Sequence, residues 1–161
     1  MTESARSLSA ERAFAGLEHR DLRPGIDRVH EVGRWVGTIA APDLSLVLLD
    51  VLDWFERVVE PHIAWEEAWL YPELDRLAGT AWATKAERYE HHHIRHVAAR
   101  LEADRDRLRH EPSHDQTAEL LADLFGLEAL LRAHIEREER FLLPLLDEAP
   151  IDWLEPAPTT A

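Results

Sequence analysis

Two stretches of the chain repeat each other and decide its fold: residues 62–67 read HIAWEE, and residues 134–139 read HIEREE. The offset is 134 − 62 = 72 residues, and a Leu-x-Pro-x-Leu-Asp run follows each stretch at the same distance. Earlier positions related by this offset are Glu18 and Glu90, His19 and His91, and Arg23 and Arg95. We infer that a helical hairpin has been duplicated, and that its two copies pack about a pseudo-twofold axis.

The remaining sequence has the apolar spacing of helices and few strand signals. Four segments place apolar residues three or four positions apart, which is typical of helices that bury one face. These segments are residues 8–39, 43–79, 80–110 and 113–149. Because the connections are short, consecutive helices should pack antiparallel. The sequence therefore predicts an all-α antiparallel up-down four-helix bundle over residues 8–149, followed by a flexible C-terminal tail over residues 150–161.

Helix starts and prolines refine this prediction. Asp43 follows a proline and is expected to cap the second helix, while Thr84 with Glu87 and Ser113 with Gln116 have the spacing of capping boxes. Prolines also fall inside the predicted helices, where each removes a backbone donor and should bend the helix locally. These prolines are Pro24, Pro61, Pro72 and Pro144. We expect the apolar face to continue through each of them in phase.

Histidines and glutamates interrupt the apolar faces of the predicted helices. The second and fourth segments each place a His-x-x-x-Glu pair there, and the first and third each place one histidine. These six residues, the ligand set, are His19, His62, Glu66, His91, His134 and Glu138. The other residues of the four faces are Ala15, Leu22, Ile26, Val29 and Val36; Leu48, Leu52, Phe55, Val59, Trp69, Glu73 and Leu77; Ile94, Ala98, Leu101 and Leu108; and Leu120, Leu124, Leu127, Leu131, Phe141 and Leu145.

Burying these polar groups requires compensation. A buried carboxylate costs several kcal/mol unless it is neutralised, and few basic residues share the four faces. A histidine and a glutamate four residues apart lie on one helical face, ~5–6 Å between Cβ atoms, so they can bind one site. Imidazole and carboxylate together suit iron, manganese or zinc. We predict two metal ions, with Glu66 and Glu138 each able to bridge them; the alternative is a hydrogen-bonded polar core without metal.

A ferritin-like bundle is the rival metal fold. It would need Glu-x-x-His on two helices. The candidates are Glu90 with His93 and Glu111 with His114, and the second pair spans Pro112 in a predicted loop. The spacing therefore argues against a ferritin-type site.

The ligand set resembles the hemerythrin-like, or HHE cation-binding, family over roughly residues 11–149. That family has a histidine in helix 1, His-x-x-x-Glu in helix 2, a histidine in helix 3 and His-x-x-x-Glu in helix 4, which is the order of the ligand set here. The Glu-Glu and Leu-x-Pro sequences beside the ligands also look like the family. The resemblance implies a non-haem pair of iron ions, bridged by the two glutamates and by oxo, hydroxo or water.

One position departs from the oxygen-carrying members of that family. Those proteins have His-x-x-x-His in helix 3, whereas here Arg95 follows His91 by four residues. His92 and His96 have that spacing but project ~100–140° away from the apolar face, so they would replace His91 only if the helix were rotated. The missing ligand favours a more open or labile centre.

Other polar and aromatic residues near the ligands have simpler interpretations. We expect Glu67 and Glu139 beside the core, either supporting the ligands or solvated. Tyr71 and Tyr89 are expected to pack at helix ends, with Tyr89 the one to watch because it lies two residues from His91.

Composition excludes several functions. The chain of 161 residues is about one domain, and it contains no cysteine, which excludes disulfides, iron–sulfur clusters and thiol catalysis. A net charge of −14 disfavours binding to nucleic acid and to anionic membranes. Without an export signal or a membrane-length apolar run, we expect a cytoplasmic protein.

Two classes of function stay open. The first is a diiron protein that reacts with dioxygen, peroxide or nitric oxide, and so handles oxidative or nitrosative stress as an enzyme would. The second is a non-catalytic sensor, carrier or store for dioxygen or iron at the same site. In both, the expected partner is a small diatomic molecule or peroxide, and the sequence identifies no protein partner.

Overall fold

The structure is a computed structural model that describes residues 3–108 and 110–147, with side chains from residue 14 onward. These residues form four helical segments and no strand, which confirms the all-α prediction. Helix α1 is Glu3–Trp35, α2 covers residues 41–77, α3 is Lys85–Arg107, and α4 covers residues 114–146. The tail predicted over residues 150–161 lies outside the described residues.

Helices α2 and α4 contain wider π-helical turns. In α2, the α-helical parts Ala41–Trp54, Glu60–Trp65 and Tyr71–Leu77 are separated by π turns at Phe55–Val59 and Glu66–Leu70. In α4, the α-helical part His114–Arg137 is followed by a π turn at Glu138–Leu142 and a 3₁₀ turn at Leu143–Leu146. The glutamates of both His-x-x-x-Glu pairs therefore open a π turn.

A proline lies two residues after each π turn, at Pro61, Pro72 and Pro144. Proline has no N–H, and its ring crowds the carbonyl four residues earlier. A π turn bonds five residues back, as from the Tyr71 N–H to the Glu66 carbonyl, and so widens the helix where this crowding would occur. The prolines are thereby accommodated and the helices continue through them.

The extra residue in a π turn moves the inward face forward by one position. Beyond Glu66, the prediction that Trp69 lies on the buried face is wrong, since Trp69 is 70% exposed and Leu70 is buried instead. Beyond Glu138 the same shift leaves Phe141 62% exposed and buries Leu142. The apolar faces therefore do not run through Pro72 and Pro144 in phase.

The residues predicted to cap α4 do so, whereas those predicted to cap α2 and α3 do not. Ser113 and Gln116 form the predicted capping box at the start of α4. Asp43 does not cap α2: the cap is Ala40, and Asp43 lies in the first turn. Thr84 precedes α3 but makes no capping bond, because its hydroxyl donates to Asp75.

Glycines in the left-handed conformation end the first two helices. Gly79, at φ +67°, follows α2 as predicted. Gly37, at φ +76°, follows α1, so α1 ends at Trp35 rather than near Ile39. A residue without Cβ adopts this conformation without steric cost, which is why glycine commonly follows a helix.

The helices pack so that the polar residues form a layer between two apolar clusters. Helix α1 contacts α2 and α4, and α3 contacts the same two helices. The larger cluster contains Leu22, Ile63 and Ile135, and the smaller one contains Leu70 and Leu142. In the described ranges, no helix is both long enough and apolar enough to cross a lipid bilayer.

Candidate metal centre

The structure brings the whole ligand set into one buried layer. All six residues are at most 2% exposed, although they come from four different helices. The histidines of α1 and α3 are single inward residues, whereas α2 and α4 supply pairs four residues apart. Helical periodicity alone places each of them on the same face as the neighbouring apolar residues.

The ligand atoms form two groups that share a glutamate. Atoms of His19, His62, Glu66 and Glu138 lie within 4.8 Å of one another, and atoms of Glu66, His91 and His134 do the same. Two oxygens of one carboxylate thus face two histidine pairs. Glu66 Oε1 is 2.9 Å from His62 Nε2, and Glu66 Oε2 is 3.1 Å from His91 Nε2. This is the arrangement in which one carboxylate can bridge two ions.

Several buried polar atoms of this layer lack hydrogen bonds within the described residues. Both oxygens of Glu66 and both ring nitrogens of His62 have no hydrogen-bond partner within the described part of the chain. Buried polar atoms are rarely left so, because an unsatisfied one costs ~1–3 kcal/mol. Imidazole nitrogens and carboxylate oxygens turned toward one another around a small space are what a cation requires. The residues therefore fit a bound metal.

The electrostatics of the layer are compatible with a bound cation. Burial by itself would raise the pKa of Glu66, but the surrounding histidines, His134 and His19 foremost, hold it well below its usual range. Burial raises the pKa of Glu138, and repulsion from Glu66 adds to the increase. Burial alone would lower the pKa of His19, yet the hydrogen bond to Glu138 and the negative charge of nearby Glu66 raise it to about 9. Without metal, protons substitute for part of the missing positive charge.

A tyrosine that sequence reasoning placed at a helix end belongs to this layer. The Tyr71 hydroxyl donates to Glu138 Oε1 at 2.5 Å and lies 3.1 Å from His91 Nε2. The expectation that Tyr89 was the tyrosine to watch is wrong, since Tyr89 is 64% exposed and packs against His93. Tyr71 is five residues after Glu66, and it reaches the layer only because the π turn moves the inward face forward by one residue. Pro72 is the feature of the sequence that could have indicated this turn.

Carboxylates also lie beside the second nitrogen of each histidine. Glu67 is 3.0 Å from His91 Nδ1, and Glu139 is 3.3 Å from His19 Nδ1. Glu90 is 3.4 Å from His134 Nδ1, and Glu18 is 3.8 Å from His62 Nδ1. These four carboxylates obey the repeat, since 139 − 67 and 90 − 18 both equal 72. A carboxylate at this place orients a metal-binding histidine and increases its basicity.

Arginines hold two of these carboxylates. Arg95 donates to Glu67 at 2.8 Å, and Arg23 donates to Glu139 at 2.9 Å. The two arginines are themselves repeat-related, because 95 − 23 is 72. Arg95 stands four residues after His91, where the sequence of oxygen carriers has a further histidine. It contacts Glu67, which in turn contacts His91.

The orientation of α3 is clear from its histidines. His91 is buried, whereas His92 and His96 are exposed. The alternative in which these two histidines replace His91 is therefore not the arrangement in the structure.

Comparison with known proteins identifies the family. The family model described as the hemerythrin HHE cation-binding domain matches residues 16–146. No curated protein and no solved structure gives a significant match. The matched range contains α2, α3, α4, most of α1 and every member of the ligand set, so the chain belongs to the hemerythrin HHE cation-binding family.

Proposed function

We propose that this chain holds two iron ions within the ligand set and reacts there with dioxygen, peroxide or nitric oxide. One observation carries the proposal: Glu66 is fully buried, makes no hydrogen bond to a described residue, and turns one oxygen toward each histidine pair. A carboxylate in that position is stable when it bridges two cations. The family's cation-binding description supports the same conclusion.

The repeat supports the arrangement of the centre. The ligand histidines and the carboxylates beside them follow the offset of 72 residues. We infer that two copies of a helical hairpin form an antiparallel up-down bundle around the metal pair. Each copy would then supply two histidines and one glutamate.

The number of ligands favours reaction over storage. Four histidines and two glutamates would leave each iron ion short of six ligands, because Arg95 stands where oxygen carriers have a further histidine. Bound iron would supply electrons and free coordination positions for a small molecule. The chain's own contribution is to exclude water through complete burial, and to hold a proton at Tyr71 Oη beside Glu138.

The test is oxidation of the reduced protein. Iron content should first reach two ions per chain after anaerobic loading. Mixed with dioxygen, the diferrous protein should oxidise readily, and it should not recover when the oxygen pressure is lowered. It should also decompose added peroxide, measured as oxygen release, at a modest rate because no acid–base residue is dedicated to that step.

The alternative function has a distinct result in the same experiment. A stable adduct that returns its dioxygen over many cycles, with no peroxide turnover, would establish a carrier and refute the reactive centre. Protein that binds zinc stoichiometrically and has no affinity for iron would refute the iron assignment itself.

A further inference from the structure

The two halves of the metal centre are built on the same repeat but are not equally supported. The first half consists of α1 and α2 and supplies His19 and His62. The second half consists of α3 and α4 and supplies His91 and His134. Because each residue has a counterpart 72 positions away, differences between the halves can be read position by position.

The outer nitrogens of the histidines differ first. In the second half, the Nδ1 atoms of His91 and His134 both make hydrogen bonds, to Glu67 and Glu90. In the first half, the Nδ1 atoms of His19 and His62 are buried and make no hydrogen bond to any residue that the structure describes. The outer nitrogens of both histidines are therefore held by hydrogen bonds in the second half but not in the first half, where a Glu139 oxygen lies 3.3 Å from His19 Nδ1 without forming one.

The arginine that holds Glu90 has no counterpart in the first half. Arg137 donates to Glu87 at 2.9 Å and also contacts Glu90, so it fixes the carboxylate that orients His134. Its counterpart in the first half is Trp65, since 137 − 65 is 72, and the counterpart of Glu87 is Ala15. Neither residue has the positive charge with which Arg137 holds Glu90, and Glu18 stays 3.8 Å from His62.

A third difference is a tyrosine of α2 whose hydroxyl lies beside a histidine of the second half. Tyr71 Oη lies 3.1 Å from His91 Nε2 and bonds to Glu138. The counterpart of Tyr71 is Leu143, since 143 − 71 is 72, and leucine offers no polar atom. Tyr71 therefore places an oxygen beside His91 that Leu143 cannot place beside His19.

From these three differences we propose that the position between His91 and His134 binds the first metal ion tightly, and that the position between His19 and His62 binds the second ion more weakly and exchanges it. Preorganised histidines lose less conformational freedom on binding, and residues that orient metal ligands typically change metal affinity 10–100-fold. This inference rests on the proposed function, because it assumes that the ligand set binds metal.

The direct experiment is to find where a single ion binds. Metal-free protein would be given one equivalent of iron(II) without oxygen and crystallised, and anomalous diffraction at the iron edge would locate the ion. We expect the signal between His91 and His134. Equal occupancy, or a signal between His19 and His62, would overturn the inequality while leaving the metal centre intact. Absence of iron at both positions, with none bound in solution, would refute both proposals.

Repeat-related variants give a matched control in solution. Glu90→Gln removes the charge that orients His134, and Glu18→Gln makes the identical change beside His62. Competition with a chelator should show that Glu90→Gln weakens binding of the first ion by ~10-fold or more, whereas Glu18→Gln leaves the first ion unaffected. Equal effects of the two variants would contradict the proposal. Should Glu90→Gln fail to fold, the occupancy of the unaltered protein still decides.

Discussion

At the scale of single residues, Glu66 belongs to both groups of ligand atoms, whereas Glu138 belongs to one. We therefore expect Glu66→Ala to lose most of both ions after loading with iron(II) and desalting. Glu138→Ala should lose mainly the ion at His19 and His62. Metal analysis of the two purified variants measures the difference.

The control for these variants uses histidines that the structure turns outward. The double change His92→Ala with His96→Ala should leave the metal content near that of the unaltered protein, since both side chains are exposed. An empty centre in this double variant, with normal content in His91→Ala, would show that the orientation assigned to α3 is incorrect.

Tyr71 offers a second residue-scale prediction. Tyr71→Phe keeps the buried ring but removes the hydroxyl that donates to Glu138. A buried acceptor that loses its donor costs ~1–3 kcal/mol, so the free energy of unfolding of the metal-free protein should fall by about that amount. Denaturant titration measures it. Tyr89→Phe is the matched control and should change stability little, because Tyr89 is exposed; an equal loss in both variants would contradict the role of Tyr71.

The third prediction concerns competition between protons and metal ions for His19. Neighbouring glutamates raise the pKa of His19 from 6.5 to about 9, despite the opposing effect of burial. In the metal-free protein His19 therefore carries a proton below about pH 9, and a metal ion must displace it. Apparent affinity should decrease as the pH falls from about 9 toward neutrality and below. Chelator competition at several pH values tests this, and an affinity independent of pH would contradict it.

At the scale of the helices, the π turns decide which residues reach the core. The turn at Glu66–Leu70 adds one residue between the His62–Glu66 pair and the buried residues Leu70 and Leu74. If that residue is removed, both parts should lie on one uninterrupted α-helical face. Pro72 would then clash with the preceding turn, at a cost of ~3 kcal/mol, unless it is also replaced.

Two deletions test whether the π turn sets the phase of α2. Removing the exposed Ala68 together with Pro72→Ala should leave a folded protein with cooperative thermal unfolding by circular dichroism. Removing Ala99, which is also exposed but lies in the α-helical α3, should greatly reduce stability, because it turns Leu101 away from the core. Equal tolerance of the two deletions would show that the π turn does not set the phase of α2.

At the scale of the whole molecule, the polar layer separates two apolar clusters and weakens the protein when no metal is present. A ligand that binds only the folded state stabilises it by about 2.7 kcal/mol when present at 100 times its dissociation constant. Saturation with iron(II) without oxygen should therefore raise the melting temperature. The same addition should not shift the melting temperature of Glu66→Ala, and an equal shift would mean that the ion binds elsewhere.

The ligand set and the four helices could be predicted from the sequence because both depend on regular spacing. Residues three or four apart share a helical face wherever the helix is regular. The α-helical parts that contain His62 and His134 end at Trp65 and Arg137, and Glu66 and Glu138 are the first residues of the π turns that follow, so each His-x-x-x-Glu pair keeps regular helical spacing. His19 and His91 lie within the α-helices α1 and α3. The family resemblance then agreed with the match over residues 16–146.

The tertiary structure determined the features that regular spacing along a helix could not predict. It moved the buried face forward by one residue after Glu66 and Glu138, exposed Trp69, and brought Tyr71 to the ligands. It also paired Thr84 with Asp75 instead of the α3 backbone, and Arg137 with Glu87 and Glu90. Spacing along one helix determines which side faces inward, but contacts between helices depend on where every other segment packs. The repeat therefore predicted the ligand positions that the two halves have in common. The contacts between helices are what distinguish one half from the other.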